Sequence, residues 1–488
     1  MENQKSNQAR QKGLAGALGW KLIERFGVQG TQFVLQIILA RMLAPEHYGV
    51  LSMMIIFTTL ANVFIQNGFN TALVQNKDVT EEDYSSVFWV SLAVAVGLYA
   101  VLFAAAPAIG AFYKMPDIVV PFRVLTLVLF PGALNSVQLA KVSREMDFKQ
   151  VFHSNVGAIL VSGVAGIVLA YLGFGVWALV AQNILNILVA AVVMWFTTKW
   201  RPRFVCNFTR VKALFSFGWK LLCSSLLDTL YQDLRSLVVG KKYDSGTLGF
   251  YNRGKQFPQF VINAVNGTVQ SVMLPAMSAK QDDSSEVKTL TRNSIMLSAY
   301  ILFPLMAGLA GVATPLVTLL LTEKWLPSVP YMQIYCFTLA FYPVHSCNLQ
   351  AINAMGRSDI FLKLEIWKKG IGILALIIAV FCFDSPIAIA MTGAFTTLIS
   401  CFINASPNKK LIGYSYLEQM KDILPSFAAA VVMLVAVLAV EVLKLNVLLT
   451  LVLQVLVGVV VYMLISVAVR LEPFRMLLNV LKEIKKKK

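Results

Sequence analysis

Residues 19–49 read GWKLIERFGVQGTQFVLQIILARMLAPEHYG, and a second copy opens at Gly218-Trp219-Lys220, 199 residues further on. The stretch is apolar enough for a membrane helix, yet it carries charged and amide side chains. At about 100° per residue, Lys21, Arg25, Gln29, Gln32 and Gln36 fall on one face about 80° wide. The matching positions of the second copy, Lys220, Ser224, Asp228, Tyr231 and Arg235, also share one face. Charge is costly in hydrocarbon, so such stripes turn toward a bundle interior or a water-filled cavity. Two related polar faces on two related helices point to a pathway between two halves of a transporter.

Composition carries the same message outward to the whole chain. Of 488 residues, 57% are hydrophobic and only 14% charged, with a mean hydropathy of +0.69; soluble domains carry about 25% charged residues. Apolar runs near the length that spans about 30 Å as a helix recur fourteen times, at 15–41, 47–66, 84–112, 119–140, 152–172, 175–197, 212–239, 247–275, 288–313, 328–354, 361–381, 386–404, 424–442 and 446–469. The expected fold is therefore an all-α polytopic membrane protein of about 14 transmembrane helices. The segment 1–12 is polar and basic, and Glu24 and Arg25 interrupt the apolar run after it. That is a poor signal peptide, so the first helix is expected to be retained.

The net charge of +17 is topological rather than a nucleic-acid footprint. Counted with the first turn of each adjoining span, 27 Lys and Arg fall in the even-numbered loops and tails and 7 in the odd-numbered loops. By the positive-inside rule both termini are cytoplasmic. The run Lys485–Lys488 reads as a solvated tail, with contact to anionic headgroups as the alternative. Six scattered cysteines and three isolated histidines give neither a disulfide framework nor a metal site. Walker A, His-Glu-x-x-His and Gly-x-Ser-x-Gly patterns are absent, so neither enzyme activity nor a cofactor is expected.

The repeat continues past the first helix. Tyr48-Gly49 corresponds to Leu248-Gly249 with a one-residue slip, Pro131 to Pro343, and the loop 143–148 to 356–361. The division expected is a cytoplasmic tail (1–14), a six-helix lobe (15–198), a linker (199–211), a second six-helix lobe (212–404), a linker (405–423), two further helices (424–470) and a basic tail (471–488). Two halves with an even number of spans insert in the same orientation, related by an axis along the membrane normal, with a site near the midplane between them. Pro131, Pro304 and Pro343 are expected to kink their helices.

Span eight adds Arg253 and Lys255, followed by Gln256, Gln259, Asn263, Asn266 and Gln270 within about 80° at helical pitch. Arg offers a planar fork matched to phosphate oxygens, and amides hydrogen-bond sugar hydroxyls or neighbouring helices. Lys21, Arg25, Lys220, Arg235 and Arg253 are candidates for an anionic group. Gln29, Gln32, Gln36, Gln256, Gln259, Asn263 and Asn266 are candidates for hydroxyls, and Asp228 for a coupling cation. The structural alternatives are snorkelling of Lys21 and Arg253 to headgroups, a local Glu24–Arg25 pair and an Asp228–Arg235 bridge. Glu365, Lys368 and Lys369 read as a face reaching the interface.

The chain resembles the Wzx-type polysaccharide flippases of the multidrug/oligosaccharidyl-lipid/polysaccharide exporter superfamily, most closely its colanic-acid and teichuronic-acid exporters. The resemblance rests on Gly19-Trp20-Lys21, the stretch Ile38 to Gly49 with Pro45-x-x-Tyr48-Gly49, the turn Asn67-Gly68-Phe69, the loop Ser143 to Phe148, and Leu248 to Arg253. It implies a V-shaped pair of six-helix lobes with alternating access. The substrate implied is an undecaprenyl-diphosphate-linked oligosaccharide moved to the outer leaflet of a bacterial plasma membrane, with membrane lipids and polysaccharide polymerase machinery as partners. Cavity arginines bind the diphosphate in such proteins, and Arg25 and Arg253 match them. The lipid II flippases carry a further arginine early in span two, where this chain has Met53 and Met54, so lipid II itself fits less well. A cation-coupled multidrug or metabolite antiporter is the rival on the same fold, kept open by Asp228 and Asp233.

Overall fold

A computed structural model describes residues 27–486 apart from 67–68, 76–77 and 146. In chain order the helices are α1 (27–42), α2 (Pro45–Gln66), α3 (Phe69–Gln75), α4 (Glu81–Tyr113), α5 (Val119–Leu125), α6 (Leu129–Glu145), α7 (Phe148–Tyr171), α8 (Val176–Thr197), α9 (Phe208–Lys242) and α10 (Ser245–Ser278). They continue as α11 (Ser284–Gly311), α12 (Ala313–Leu321), α13 (Val329–Ala340), α14 (Tyr342–Ala354), α15 (Ser358–Cys382), α16 (Pro386–Ala405), α17 (Asn408–Leu411), α18 (Tyr416–Ala439), α19 (Val447–Ala468) and α20 (Glu472–Lys486). Two compact units result, one ending at Gly249 and the other running Phe250–Lys488, so the division falls just after the first turn of α10.

Among the described residues, every expected span coincides with helix. Nine helical stretches among the described residues are long and apolar enough to cross a membrane. The other five expected spans are helical but polar, broken or described only in part. α9, α10 and α15 carry the intramembrane charges and amides, α13 and α14 divide one span at Phe341, and α1 is described from residue 27. The chain is a multi-pass, all-α membrane protein.

The prolines act differently from the expected kinks. Span four is built from α5, a 3₁₀ turn Thr126–Val128 and α6; Pro131 sits in the first turn of α6, and Pro343 in the first turn of α14. There the missing N–H has no intrahelical partner to lose. Span four thus tightens into a 3₁₀ turn just before its proline, whereas span ten restarts as α14 with its proline in the first turn. Pro304 lies inside α11, as Pro107 does in α4 and Pro425 in α18.

In the first unit, α4 starts at a capping box: Thr80 N–H donates to Asp83 at 2.8 Å and Asp83 N–H to the Thr80 hydroxyl at 3.4 Å. Three acids in the first turn suit the helix dipole. The segment 199–211 is folded against this helix start. Trp200 is buried against Tyr84 and Phe88, Arg203 and Asn207 N–H donate to Ser85 and Ser86 hydroxyls, and Arg210 Nε donates to Asp83 at 2.6 Å.

α2 and the start of α10 meet through repeat-related glycines. A Cβ at Gly49 would overlap the Ser245 carbonyl oxygen and stand 2.5 Å from its carbonyl carbon. A Cβ at Gly249 would overlap the Pro45 carbonyl oxygen and stand 3.0 Å from its carbonyl carbon. Position 45 is the repeat partner of 245, and 49 of 249, so the contact is reciprocal, and only glycine admits backbone so close.

In the second unit, Asn348, Asn408 and Gln419 form a fully buried amide network joining α14, α17 and α18. Arg292 of α11 is bidentate to Asp422 of α18, at 2.9 Å on both oxygens, and also reaches Glu472 of α20 at 2.9 and 3.0 Å. Tyr414 donates to Asp422 at 2.7 Å. Burial, and then the Asp422 bond, push the Tyr414 phenol well above its ordinary range. Within the segment expected as a basic tail, residues Glu472–Lys486 are helical.

Candidate functional site

The polar stripes come first, helix by helix. On α1, Gln29 and Gln36 are half-buried and Gln32 is exposed; Lys21 and Arg25 lie outside the described residues. α9 packs on α2, α3 and α4, yet its stripe stays open: Lys220 and Asp228 are exposed, and Arg235 is half-buried over the Tyr231 ring at 5.8 Å.

α10 passes so close to the start of α13 that a Cβ at Gly254 would lie 2.6 Å from Tyr331 Cβ and 2.8 Å from the Ser328 carbonyl oxygen. This approach brings Arg253 beneath Trp325, with the guanidinium 5.0 Å from the ring centroid. Arg253 Nη1 donates to Gln256 Oε1, and the residue is 5% exposed. One turn on, Gln259 Nε2 donates to Asn263 Oδ1 at 2.9 Å, with Gln259 half-buried and Asn263 exposed. Lys255 lies 6.0 Å from the Tyr335 ring, whose hydroxyl bonds that of Tyr251. The structure thus joins Arg253 with Gln256 and Gln259 with Asn263; the Asn266 side chain lies outside the described residues.

Arg253 is held by a neutral amide and an aromatic face, so its charge is supported without being cancelled by these two partners.

An element that the sequence did not disclose is an apolar groove of about 650 Å³ in the second unit. Tyr300, Pro304 and Gly308 of α11, Met433 and Val437 of α18, and Gln454 and Gly458 of α19 line it. Its polar donors turn away from the groove: Tyr462 bonds the Tyr300 carbonyl at 2.8 Å, Tyr300 the Ser466 hydroxyl at 3.0 Å, and Gln454 Nε2 the Val437 carbonyl at 3.2 Å. The only local signal was the glycines of α11 and α19, which single-sequence reading assigns to helix packing. Among the described residues, no cluster of His, Cys, Asp or Glu is placed to hold a metal ion.

Polar stripes on helices of an otherwise apolar bundle, together with an apolar groove, are the features of a membrane transporter. Residues 38–330, more than half the chain, match the family model "Polysaccharide biosynthesis protein", and the chain belongs to that family. Succinoglycan biosynthesis transport protein ExoT of Rhizobium meliloti (strain 1021) is 24% identical over 410 residues, covering 84% of this chain and 80% of that protein. Lipopolysaccharide biosynthesis protein WzxC of Escherichia coli (strain K12) is 23% identical, covering 83% of each. Teichuronic acid biosynthesis protein TuaB of Bacillus subtilis (strain 168) is 26% identical over 322 residues, covering 65% of each, just under two thirds.

The fold matches that of the lipid II flippase MurJ in an inward closed conformation, with a TM-score of 0.71 at 16% identity over 92% of this chain and 98% of that one. An inward-facing multidrug resistance MATE family transporter of the MOP superfamily gives 0.60 at 16% identity, over 85% and 98%.

Proposed function

We propose that this protein is a flippase that moves undecaprenyl-diphosphate-linked oligosaccharide units from the cytoplasmic to the outer leaflet of the bacterial plasma membrane, for cell-surface polysaccharide biosynthesis. The observation that carries this reading is the pair of cation- and amide-bearing stripes inside an apolar helical chain. The diphosphate calls for cations in a water-poor setting, where charge-assisted hydrogen bonds are strong. Arg25, Lys21, Arg253, Lys220 and Arg235 supply them. The sugar calls for many neutral donors and acceptors, supplied by Gln29, Gln32, Gln36, Gln256, Gln259, Asn263 and Asn266.

The polyprenyl tail calls for an apolar surface that stays in the membrane while the headgroup crosses, and the groove along α11, α18 and α19 offers one. Alternating access at a midplane site then exchanges leaflets without exposing the sugar to hydrocarbon. Relatives named for teichuronic acid, succinoglycan and lipopolysaccharide support a surface-polysaccharide substrate. Both termini are cytoplasmic in this reading, as the loop charges require, and polysaccharide polymerase machinery takes up the delivered unit.

The reading is tested by deleting the chain in its host and locating the lipid-linked repeat unit. Accumulation on the cytoplasmic leaflet with loss of surface polysaccharide is the expected result. Normal surface polysaccharide in the deletion strain, together with loss of resistance to cationic drugs, would replace it with an antiporter working through Asp228.

A further inference from the structure

Residues 471–488 were expected to be a solvated basic tail, but Glu472–Lys486 form a fifteen-residue helix. At about 100° per residue, Phe474, Leu477, Leu478, Leu481 and Ile484 fall within about 120° of one another. Arg475, Lys482 and Lys486 fall within a strip about 40° wide that flanks this sector, and Lys485 falls inside it at the C-terminal end. From Arg470 to the end the chain carries seven basic residues against two acids, Glu472 and Glu483. This is the pattern of a helix lying in a membrane interface: an apolar face of modest length flanked by cations.

Three structural facts fix where the helix starts. α19 ends at Ala468, and only 469–471 separate it from α20. Arg470 has φ +56°, in the left-handed region, which stops α19 from continuing and redirects the chain. Leu471 is buried, and Phe474 packs on Tyr300 of α11 with centroids 6.4 Å apart. Meanwhile Glu472 is held by Arg292, which also grips Asp422. A helix that leaves a transmembrane span within three residues, and is fastened at its first turn to α11, begins at the bilayer surface.

Past that anchorage the apolar face opens, with Leu477 half-buried and Leu478 exposed. What lies beside a helix at this position is the headgroup layer, and the excess of cations selects an anionic one. We infer that α20 is an interfacial helix that binds anionic phospholipid headgroups of the adjacent leaflet. Since Glu472 is salt-bridged to Arg292, that binding is mechanically tied to α11 and α18, which line the apolar groove.

The test uses full-length protein with the exposed Cys206, Cys223 and Cys382 replaced by serine, the buried Cys336, Cys347 and Cys401 being kept. A single cysteine is placed at Leu481 or, separately, at Lys482 and labelled with an environment-sensitive nitrobenzoxadiazole. Both proteins are reconstituted in vesicles of phosphatidylcholine alone or mixed equally with phosphatidylglycerol. The expected result is blue-shifted emission at 481 and reduction by dithionite roughly tenfold slower in anionic than in neutral vesicles, with the label at 482 remaining reactive in both. Replacing Lys485 and Lys486 by glutamine should remove most of that difference.

Equal reactivity at 481 and 482 in anionic vesicles would return the segment to a solvated tail. Protection at 481 that is the same in neutral vesicles and in detergent would mean that protein covers the apolar face, and would equally overturn the lipid site.

Discussion

Replacing Gly49 by alanine sets helix propensity against packing. Gly49 is the fifth residue of α2, and alanine in a helix is favoured over glycine by about 1 kcal/mol. Against that, the new Cβ would overlap the Ser245 carbonyl oxygen and lie 2.5 Å from its carbonyl carbon, where ordinary contact begins at 3.4 Å. The obstacle is backbone in a helix, so no side chain can rotate aside, and the helices must part by well over 1 Å to clear the carbonyl oxygen. Overpacking of this kind typically costs 1–3 kcal/mol, and a backbone obstacle puts Gly49→Ala at roughly the upper end. The net expectation is a loss of about 2 kcal/mol.

Gly97 of α4 is the control, since a Cβ there meets nothing within 4 Å and only the propensity gain remains. Thermal unfolding of purified protein, followed with a thiol-reactive dye, should place Gly49→Ala a few degrees below wild type and Gly97→Ala at or slightly above it. Gly249→Ala should behave like Gly49→Ala. Because both separate the same pair of helices, the double variant should lose less than the two single losses combined. Equal midpoints for Gly49→Ala and Gly97→Ala would refute the reciprocal glycine contact.

Asp83→Ala removes the side-chain acceptor of the α4 capping box and the partner of Arg210 from a buried position. It should cost roughly 1–3 kcal/mol, read as a lower unfolding midpoint; an unchanged midpoint would show that the 199–211 segment does not depend on this anchor. Asp244 precedes α10. Burial raises its pKa, but bonds from the Thr247 N–H and hydroxyl, each at 2.8 Å, outweigh that and hold it below the usual carboxylate value. Its contribution is therefore complete above the unfolded carboxylate pKa of about 3.9 and is lost as pH falls through the lower folded value. Asp244→Asn should flatten the acid limb of the stability profile, and a limb of unchanged slope would exclude Asp244 as a source. Gly308→Leu adds a side chain to the apolar groove, where a Cβ meets only Met433 Cε at 3.7 Å. It should slow flipping several-fold with an unchanged unfolding midpoint, whereas full transport would remove the groove from the tail's path.

The helices and their polar faces were legible because periodicity is a local property: Gln256, Gln259 and Asn263 announce their face by spacing alone. The broken spans were not legible. Pro131 and Pro343 look like mid-span kinks until the 3₁₀ turn before one and the restart at Tyr342 before the other are seen. Contacts of long sequence separation were hidden for a simpler reason. Nothing near Arg210 names Asp83 as its partner 127 residues earlier, and nothing near Arg292 names Glu472, 180 residues later. The helix at 472–486 was masked by its terminal lysine run, which dominates composition although the apolar residues before it keep helical phase. The polar stripes were read from residue type and spacing; that Arg253 lies under Trp325 belongs to tertiary packing.

The account rests on a cationic, amide-lined path for a lipid-linked sugar diphosphate, and one measurement addresses it directly. Purified protein in liposomes is given a fluorescent undecaprenyl-diphosphate oligosaccharide, and its loss from one leaflet is followed for wild type and Arg25→Ala. Protein-dependent movement that disappears with Arg25→Ala is the predicted result. No movement with wild type, alongside proton- or sodium-driven efflux of a small cation, would contradict it.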